Sequence, residues 1–444
     1  MHQSDSSAPG FHLLTYGCQM NSRDSEIISG LLTQAGYKAV PLAEAQLVVF
    51  NTCSVRHSAE NKVYGKLGEV NKLKRGKPGM MIAFGGCMAQ IPEVVQKLKG
   101  KGVDIVFGTH NLHQLPLLLE RLQAGEKQIL EVWDQHGEII EDLPSTRREG
   151  VSAFVNIMYG CNNFCSYCIV PFTRGRERSR NGRDIIREME ELAAAGFKEI
   201  TLLGQNVNSY GRGASEILDF AGLLQQADRV PGLERIRFMT SHPKDMSDAL
   251  IDTIAAGEKL CEHIHVPLQA GSNSILKRMN RGYTREHYLE LVDKMRERIP
   301  GAAISSDLIV GFPGESEADF QDTLDMLERV RFDAAFTFMY SVRTGTRAES
   351  FADQIELSVK QERLMRLNQK QYGIALEINR ALEGQTLEIL VDGPSKTNPD
   401  RLTGRTRTNH IVIFSGTKDL IGKPINVKIT AGKTFSIFGE IPVE

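Results

Sequence analysis

The sequence has little of several features that would assign it quickly to a class. No apolar run approaches the length of a membrane span, and the polar start, MHQSDSSAPG, lacks the basic and apolar regions of a signal peptide. The formal net charge is −2 over 444 residues, so overall charge gives no reason to expect binding to nucleic acid. Tandem repeats and low-complexity tracts are also absent from the sequence. We therefore expect a cytoplasmic globular protein of two or three domains.

Cysteine is scarce, but its placement is informative. The chain has seven cysteines, an odd number, so complete disulfide pairing is excluded. In a reducing compartment, spaced cysteines favour metal binding over disulfides. Six of them form two triplets, and Cys261 stands outside both. The compact triplet is Cys161, Cys165 and Cys168, and the dispersed triplet is Cys18, Cys53 and Cys87.

The first part of the chain, 11–133, alternates between strand and helix patterns. The strand candidates are 11–17, 46–51, 80–86 and 103–108, and the helix candidates are 24–35, 56–73 and 90–99. This alternation predicts a mainly parallel α/β sheet, which binds ligands at the carboxyl ends of its strands. The dispersed cysteines directly follow the first three strand candidates. We therefore expect them at one edge of the sheet.

The rest of the chain predicts two further domains after a polar linker at 134–150. Region 151–383 carries strand candidates at 152–159, 199–204, 234–240, 262–267, 304–310 and 334–340, and helix candidates at 183–195, 245–257, 284–297, 316–330 and 359–382. This pattern predicts a complete or partial β/α barrel, with its chemistry on the loops after the strands. Region 384–444 is β-rich with glycine-marked turns, which predicts a small antiparallel β-barrel.

The compact triplet has the spacing C-x3-C-x2-C in the loop CNNFCSYC, directly after the apolar strand candidate VSAFVNIMYG. Three thiolates placed there can hold an iron–sulfur cluster through three of its irons and leave the fourth iron open. A zinc site is the alternative, and it would need a fourth ligand from Cys261 or a distant histidine. Buried cysteines without a metal are a further alternative, for this triplet and for the dispersed one.

The compact motif resembles that of the radical S-adenosylmethionine enzymes. The resemblance implies a 4Fe–4S cluster on Cys161, Cys165 and Cys168 whose open iron takes the amino and carboxylate groups of S-adenosylmethionine. Reductive cleavage of that cofactor then gives a 5′-deoxyadenosyl radical. Tyr167 occupies the aromatic position that in this family often lies near the adenine.

Other ends of barrel strands predict a bed for the cofactor. The segments are LLGQNVNSYG, HVPLQAGSN and SSDLIVGFPGES, each of which carries small or polar residues where a strand becomes a loop. The predicted cofactor-binding residues, besides Tyr167, are Gly204, Gln205, Gln269, Ser272, Asp307 and Gly311. Turns without a ligand are the alternative at each position.

The dispersed triplet recurs in similar contexts, TYGCQMN, FNTCSVR and FGGCMAQ. These contexts resemble the N-terminal domain of the methylthiotransferases, a subgroup of the radical S-adenosylmethionine enzymes. The resemblance covers the whole chain, through the radical barrel to a C-terminal barrel known as the TRAM domain. It implies a second, auxiliary 4Fe–4S cluster on Cys18, Cys53 and Cys87, which supplies or carries the inserted sulfur. It also implies two S-adenosylmethionine molecules per turnover, one as methyl donor and one as radical source.

The residues around Cys18 point to one branch of that family. The opening TYGCQMNSRDSE resembles the branch that modifies dimethylallyl- or isopentenyl-adenosine beside the anticodon of tRNA. The resemblance implies tRNA as partner, an electron donor such as flavodoxin or ferredoxin, a sulfur or cluster carrier protein, no membrane and a monomer. Two alternatives stay open: methylthiolation of an aspartate in a ribosomal protein, and a non-catalytic RNA-binding protein with metal sites.

Local basic patches predict where RNA would bind. The segment TRGRERSR follows the compact cysteine loop, and the C-terminal barrel carries basic and aromatic residues on neighbouring hairpins. Such residues suit phosphate contacts and single-stranded RNA. The predicted RNA contacts are Arg174, Arg176, Arg401, Arg405, Arg407 and Lys433. The alternatives are pairing with carboxylates such as Glu177 and an ordinary solvated barrel surface.

Overall fold

The structure, a computed structural model, describes residues 8–54, 57–135, 137–147, 149–213 and 218–442, without the side chains of 57–59. Residues 136 and 148 of the predicted linker and the first residue of the predicted helix 56–73 lie outside this part. The chain forms two compact units. The first comprises Met1–Arg148, Tyr159–Asn162 and Cys168–Arg178, and the second comprises Glu149–Met158, Asn163–Tyr167 and Ser179–Glu444. None of the helices described has the length and apolar character needed to cross a bilayer.

The first unit is built on a parallel sheet with helices. Its strands are β1 (Gly10–Thr15), β2 (Lys38–Ala39), β3 (Leu47–Thr52), β4 (Met81–Gly86), β5 (Ile105–Phe107) and β6 (Ile129–Glu131). Its helices are α1 (Gln19–Gln34), α2 (His57–Arg75), α3 (Pro92–Leu98), α4 (Leu115–Gln123) and α5 (Val170–Thr173). The sheet order is β2-β1-β3-β4-β5-β6, and every neighbouring pair is parallel.

The central strand β3 explains why this unit folds as a two-sided sheet. All six of its residues, LVVFNT, are buried. A strand covered on both faces reads as a continuous apolar run, as here, rather than as an alternating one. Val48 and Phe50 belong to one apolar cluster, and Leu47 and Val49 belong to another. The predicted parallel sheet is confirmed.

The described part of 134–147 is packed against α1. The backbone of Thr146 donates to the carbonyl of Glu26 at 2.9 Å, and Arg147 Nη1 pairs with Glu26 Oε2 at 3.0 Å. A Cβ on Gly30 would lie 2.4 Å from the backbone of Pro144, so α1 needs glycine there for the chain to pass. This segment is therefore fixed to the first unit over these contacts. The predicted domain boundaries stay predictions.

The second unit contains a parallel β/α arrangement and a small barrel. Its parallel strands are β7 (Ser152–Asn156), β10 (Glu199–Leu203), β11 (Arg235–Phe238), β12 (His263–His265), β13 (Ala303–Val310) and β14 (Ala334–Met339). Two further short strands, β8 (Met158–Tyr159) and β9 (Arg178–Ser179), form a two-stranded sheet of their own. Its helices are α6 (Gly182–Ala194), α7 (Phe220–Ala227), α8 (Asp248–Ala256), α9 (Asn273–Arg278), α10 (Arg285–Arg298), α11 (Glu317–Val330) and α12 (Leu357–Arg380).

These strands form a partial barrel. They group into two three-stranded parallel sheets, β11-β10-β7 and β12-β13-β14, and an isolated parallel bridge between Ile236 and Leu260 links them. The apolar core is shared between strands and helices, with residues such as Val155, Ile304 and Leu327 fully buried. Side-chain caps fix several helix starts. At α11, Ser316 and Asp319 form a reciprocal capping box, which satisfies backbone donors that the first helical turn leaves open.

The C-terminal strands close into a barrel in the order β15-β16-β17-β19-β18. Their bounds are β15 (Thr386–Pro394), β16 (Leu402–Thr406), β17 (Ile411–Phe414), β18 (Pro424–Gly432) and β19 (Ile437–Glu440). The β17–β19 pair is parallel, whereas the sequence predicts an antiparallel barrel. The reason is geometric: strands whose directions alternate cannot close a ring of five, so one neighbouring pair must be parallel.

The three predicted architectures are confirmed: a parallel α/β sheet, a partial β/α barrel and a small β-barrel. Among the elements that the sequence reading missed are β2, α4, β6, α5, β9, α7 and α9. The last of these is six residues long, and β6 is three residues long. Such short segments span too few residues for a hydrophobic period to register, and tertiary packing decides them.

Candidate functional site

The dispersed cysteines follow three adjacent strands of the first unit. Cys18 comes after β1, Cys53 directly after β3, and Cys87 directly after β4. Since β1, β3 and β4 are neighbours and parallel, the three residues stand at the same carboxyl edge of the sheet. Cys53 and Cys87 are buried and Cys18 is exposed. The predicted position at this edge is confirmed.

Two glycines allow the loops that carry these cysteines to approach each other. Gly17 has φ +116°, and a Cβ on it would lie 2.5 Å from Cys53 Cβ and 2.9 Å from Cys53 Sγ. Gly86 has φ +88°, and its Cβ would lie 2.5 Å from the carbonyl oxygen of Thr52. Both conformations are ones that only glycine adopts easily. The glycines that precede Cys18 and Cys87 in sequence therefore keep the three loops together.

The Cys87 thiol is influenced by the other two cysteines and by Arg174. Its pKa is raised to about 11, chiefly by burial and to a smaller extent by neighbouring Cys53 and Cys18. Arg174 acts in the opposite direction, through its positive charge and a side-chain hydrogen bond. A thiol with this pKa is protonated near neutrality, and thiolate formation is coupled to metal binding.

The described side chains form no site for a single metal ion: no group of three or more histidine, cysteine, aspartate or glutamate residues among them is placed to hold one. A cubane cluster makes a different demand. Its thiolates bind separate irons, so they surround the cluster instead of converging on one point. Three thiols at one sheet edge, with glycines that permit close approach, fit that demand.

The loop of the compact triplet is held by hydrogen bonds at two of its residues. The backbone of Cys161 donates to the carbonyl of Gly175 at 3.2 Å. Ser166 donates from its backbone to the carbonyl of Met279 at 3.0 Å and from its hydroxyl to the carbonyl of Arg278 at 2.8 Å. These bonds fix parts of the loop that carries the three cysteines.

Arg281 contacts the compact triplet and was missed by the sequence reading. Its guanidinium is 5% exposed and lies 3.3 Å from Cys165 Sγ and 3.3 Å from the Tyr167 hydroxyl. It also donates to the carbonyl of Pro267 at 3.0 Å and to the hydroxyl of Tyr283 at 3.0 Å. The motif KRMNRGYT shows a basic residue in a turn, but nothing local indicates that it reaches a cysteine 116 positions earlier.

We expect Arg281→Gln to lower the yield of the radical reaction by roughly 10- to 100-fold, because groups that bond to metal ligands commonly have effects of that size. The guanidinium fixes Cys165 and Tyr167 together, and glutamine keeps neither the charge nor the fork of donors. The measurement is 5′-deoxyadenosine formation together with the electron paramagnetic resonance (EPR) spectrum of the cluster.

The matched control for that variant is Arg278→Gln. Arg278 precedes Arg281 by three positions, and its side chain is 40% exposed in an ion pair with Asp353. Such a surface pair contributes little. Equal losses in the two variants would contradict a specific role of Arg281 at the cluster.

The predicted cofactor bed divides into two groups. Gln269 has φ +70° and is 7% exposed, a strained backbone that often marks a binding site. Gly204 is buried at the end of β10, Gln205 follows it, and Asp307 lies on β13, half-buried, with its carboxylate 3.7 Å from His265. These positions suit the predicted bed, which stays a prediction.

Ser272 and Gly311 are occupied by contacts within the protein. The hydroxyl of Ser272 bonds to Asp319 at 2.5 Å and to Ser274 at 2.9 Å. A Cβ on Gly311 would lie 2.3 Å from the side chain of Lys360, and the N–H of Gly311 donates to Glu315 at 2.9 Å. The close approach at this glycine is therefore that of Lys360. Both residues are better explained by packing than by a cofactor.

Buried polar atoms without partners occur at the ends of three adjacent strands. They are side-chain atoms of Asn156 after β7, Asn206 and Asn208 after β10, and Ser241 and His242 after β11, and none of them has a hydrogen-bond partner among the residues that the structure describes. Such atoms are costly to bury unless a ligand satisfies them. This observation fits a polar ligand such as the amino, carboxylate and ribose groups of S-adenosylmethionine. The sequence reading missed Asn156, Ser241 and His242.

His242 can meet such a ligand only as a neutral ring. Burial, together with the positive charges of Arg281, Lys244 and Arg212, lowers the pKa of His242 to about 2. Its Nδ1 accepts from the backbone of Lys244 at 3.4 Å. A neutral imidazole whose Nδ1 accepts carries its proton on Nε2. Nε2 is the atom without a partner among the described residues, and it is therefore a donor.

Two predicted RNA contacts have acceptors within the second unit, Arg407 in the β/α part and Arg405 in the small barrel. Arg407 donates to Glu262 at 2.6 Å and to the carbonyls of Leu260 and Glu258 at 2.6 and 2.9 Å, which engages its whole guanidinium. Arg405 donates to Asn409 at 2.9 Å and lies 3.5 Å from Asp392. For Arg407 this corrects the sequence prediction, since its donors are already used.

Arg174 is corrected in the same way. Its guanidinium is 5% exposed and pairs with Asp24 in the first unit, so a phosphate cannot reach it without breaking a buried ion pair. Arg176, Arg401 and Lys433 are exposed. Phe435 is 70% exposed beside Lys433, which keeps an aromatic surface next to a positive charge. The basic surface is therefore smaller than the sequence predicts.

Comparison with known proteins identifies the class. The Radical SAM superfamily profile matches residues 155–327, the profile described as Uncharacterized protein family UPF0004 matches 10–108, and the TRAM domain profile matches 380–441. Among solved structures, the radical S-adenosylmethionine methyltransferase TsrM from Kitasatospora setae has a TM-score of 0.58 at 15% identity, over 78% of this chain and 77% of its own. That likeness shows the fold. The chain is a radical SAM protein with a TRAM domain.

The relatives narrow this class. A tRNA-2-methylthio-N(6)-dimethylallyladenosine synthase from Syntrophomonas wolfei is 68% identical over 432 residues, which is 97% of this chain and 97% of the relative. One from Moorella thermoacetica is 54% identical over 434 residues, or 97% and 98% of the two chains. The chain belongs to the family of these synthases, and the resemblance found in the sequence is confirmed.

Proposed function

We propose that the protein is a radical S-adenosylmethionine methylthiotransferase. It inserts sulfur and a methyl group at C2 of N6-dimethylallyl- or isopentenyl-adenosine next to the anticodon of tRNA. The observation that carries the proposal is the 68% identity to a synthase of this name over 97% of both chains. The two cysteine triplets supply the chemistry that such a reaction needs. Cytoplasmic location and a monomeric state are part of the proposal.

The radical half of the proposal rests on the compact triplet and the partial β/α barrel. Cys161, Cys165 and Cys168 would bind three irons of a 4Fe–4S cluster and leave the fourth for S-adenosylmethionine. When the cluster is reduced by a donor such as flavodoxin or ferredoxin, it cleaves bound S-adenosylmethionine and so supplies the 5′-deoxyadenosyl radical, which removes an unreactive hydrogen from the substrate. Arg281 holds Cys165 and Tyr167, and the Asn156 amide and the unpartnered amide oxygens of Asn206 and Asn208 would orient the polar groups of the cofactor.

The sulfur half of the proposal rests on the first unit. Cys18, Cys53 and Cys87 would hold the auxiliary 4Fe–4S cluster, with one iron open for the sulfur that is methylated and transferred. A second S-adenosylmethionine would donate the methyl group, and a carrier protein would restore the sulfur. Cys53 and Cys87 are buried, so the protein would shield the irons that they bind from water and oxidants.

The RNA contacts in the proposal follow the exposed basic residues. Arg176 and Arg401 would contact phosphates, and Lys433 with Phe435 would meet an unstacked base and its backbone. The overall charge of −2 means that binding depends on these local groups. Arg405 contributes to the surface only through the part of its guanidinium that Asn409 leaves open.

The proposal predicts a defined change in tRNA. Cells that lack the gene should contain the dimethylallyl-adenosine precursor and lack its 2-methylthio form, as measured by mass spectrometry of tRNA nucleosides. Restoring the gene should restore the product, and restoring a Cys165→Ala variant should not. An unchanged nucleoside profile, or a modified aspartate in a ribosomal protein in its place, would reject the assigned substrate.

A further inference from the structure

Arg174 has a place in the first unit that an RNA-binding role does not explain. Its Nη2 donates to Asp24 Oδ2 at 2.6 Å and to Asn21 Oδ1 at 2.9 Å. Both partners lie on α1, and the side chains of Arg174 and Asp24 are each 5% exposed. A buried ion pair often adds no stability over apolar residues of similar volume, because desolvation offsets the attraction. Its presence here therefore requires a reason other than stability.

Asn21 connects this ion pair to the loops that carry the cysteines. Its Nδ2 donates to the carbonyl of Thr52 at 2.8 Å and to that of Tyr16 at 3.0 Å. Its Oδ1 lies 3.6 Å from Cys18 Sγ. Asn51 in turn donates to the carbonyl of Asn21 at 2.8 Å. One side chain thus joins the residue before Cys53, the loop before Cys18 and the guanidinium of Arg174.

The guanidinium stands beside two of the thiols. It makes a side-chain hydrogen bond with Cys87. It also shares the acceptor Asn21 Oδ1 with Cys18 Sγ, at 2.9 Å from Arg174 Nη2 and 3.6 Å from the sulfur. Arginine stays protonated in proteins, so a fixed positive charge lies next to two of the three proposed ligands. Positive charge beside an iron–sulfur cluster favours the reduced, more negative form.

We propose that Arg174 is a positioning residue for the auxiliary cluster: held by Asp24 and Asn21, its guanidinium neutralises the sulfur ligands and sets the reduction potential of that cluster. The proposal rests on the assignment of an auxiliary cluster to Cys18, Cys53 and Cys87 under the proposed function. Asp24 has the opposite sign and moderates the effect. Arg174 keeps the auxiliary cluster reducible, and it makes no contact with RNA.

The test isolates the auxiliary cluster. The full chain with Cys161, Cys165 and Cys168 replaced by alanine is loaded anaerobically with iron and sulfide. The reduction potential of the remaining cluster is then measured by potentiometric titration with EPR detection. In this background we expect Arg174→Gln to make reduction of the cluster tenfold less favourable. For one electron this is a shift of the reduction potential by about 59 mV to more negative values. Arg174→Lys should shift it much less, because the charge stays. Asp24→Asn should shift it positively, because the guanidinium loses its counter-charge.

The control is Arg176→Gln, which removes an equal charge two residues away from an exposed side chain and should leave the potential unchanged. Opposite shifts in Arg174→Gln and Asp24→Asn would support the proposal, since a merely structural role predicts loss of the cluster in both. Equal potentials in all variants would overturn it and leave the proposed function intact. If Arg174→Gln binds no cluster, Asp24→Asn decides: a positive shift of the potential supports the proposal, and an unchanged or more negative potential overturns it. A background that binds no iron would overturn the auxiliary cluster itself, and this inference with it.

Discussion

Replacing Cys161, Cys165 and Cys168 together by alanine should abolish 5′-deoxyadenosine formation and leave one cluster on the chain. Alanine has no group that binds iron, so the open iron and its bound cofactor are lost together. We expect the rate of 5′-deoxyadenosine formation to fall at least about a thousandfold, which corresponds to about 4 kcal/mol in the activation free energy. The measurement is chromatography of 5′-deoxyadenosine from enzyme prepared anaerobically with a strong reductant.

Iron content gives the second readout of this variant. The unaltered protein should hold about eight irons and eight sulfides per chain, and the variant about half of each. The matched control is Cys261→Ala, because Cys261 is buried and outside both triplets. Its iron content and cofactor cleavage should not change. Continued cofactor cleavage by the triple variant would reject the radical site, and stoichiometric zinc without charge-transfer absorption would reject both clusters.

Replacing Cys18, Cys53 and Cys87 together should separate the two halves of the reaction. The radical cluster remains, so S-adenosylmethionine is still cleaved to 5′-deoxyadenosine. The methylthio product should fall below detection, because the sulfur has no iron to bind. The measurement is mass spectrometry of prenylated tRNA after incubation with this variant, with 5′-deoxyadenosine quantified in the same sample.

Folding is the control for that result. Cys53 and Cys87 are 1% and 4% exposed, so truncation leaves small cavities at the sheet edge. Far-ultraviolet circular dichroism and a thermal melt should show a folded protein with a lowered melting temperature. A folded variant that still forms the 2-methylthio product would show that the transferred sulfur does not depend on these cysteines.

Much of the fold was predictable because its signals are local. The buried strands β3 and β4 are continuous apolar runs, and the long helices α10 and α11 have the expected bounds within a residue or two. The five-stranded barrel was predicted as a barrel but not in its strand directions. The parallel pair of β17 and β19 follows from closing an odd number of strands, which no segment of sequence displays by itself.

The basic residues show where sequence reasoning fails. Arg174, Arg176 and Arg407 look alike as charges in polar segments, and the sequence assigns all three to RNA. In the structure, Arg174 pairs with a carboxylate 150 positions away and Arg407 with one 145 positions away, whereas Arg176 is exposed. A guanidinium reaches whichever acceptor the fold brings near, and that acceptor is set by the packing of distant elements.

The sequence by itself determined the two cysteine triplets, their order along the chain and the three architectures, because cysteine spacing and hydrophobic period are written in neighbouring residues. Tertiary structure alone decided that Arg281 reaches Cys165, that Arg174 lies beside two of the dispersed thiols, and that buried polar atoms at the ends of β7, β10 and β11 have no partner among the described residues. The physical reason is that these partners are far apart along the chain. Electrostatic and hydrogen-bond partners depend on proximity in space, and these residues come close only when the parallel strands pair and align their carboxyl ends.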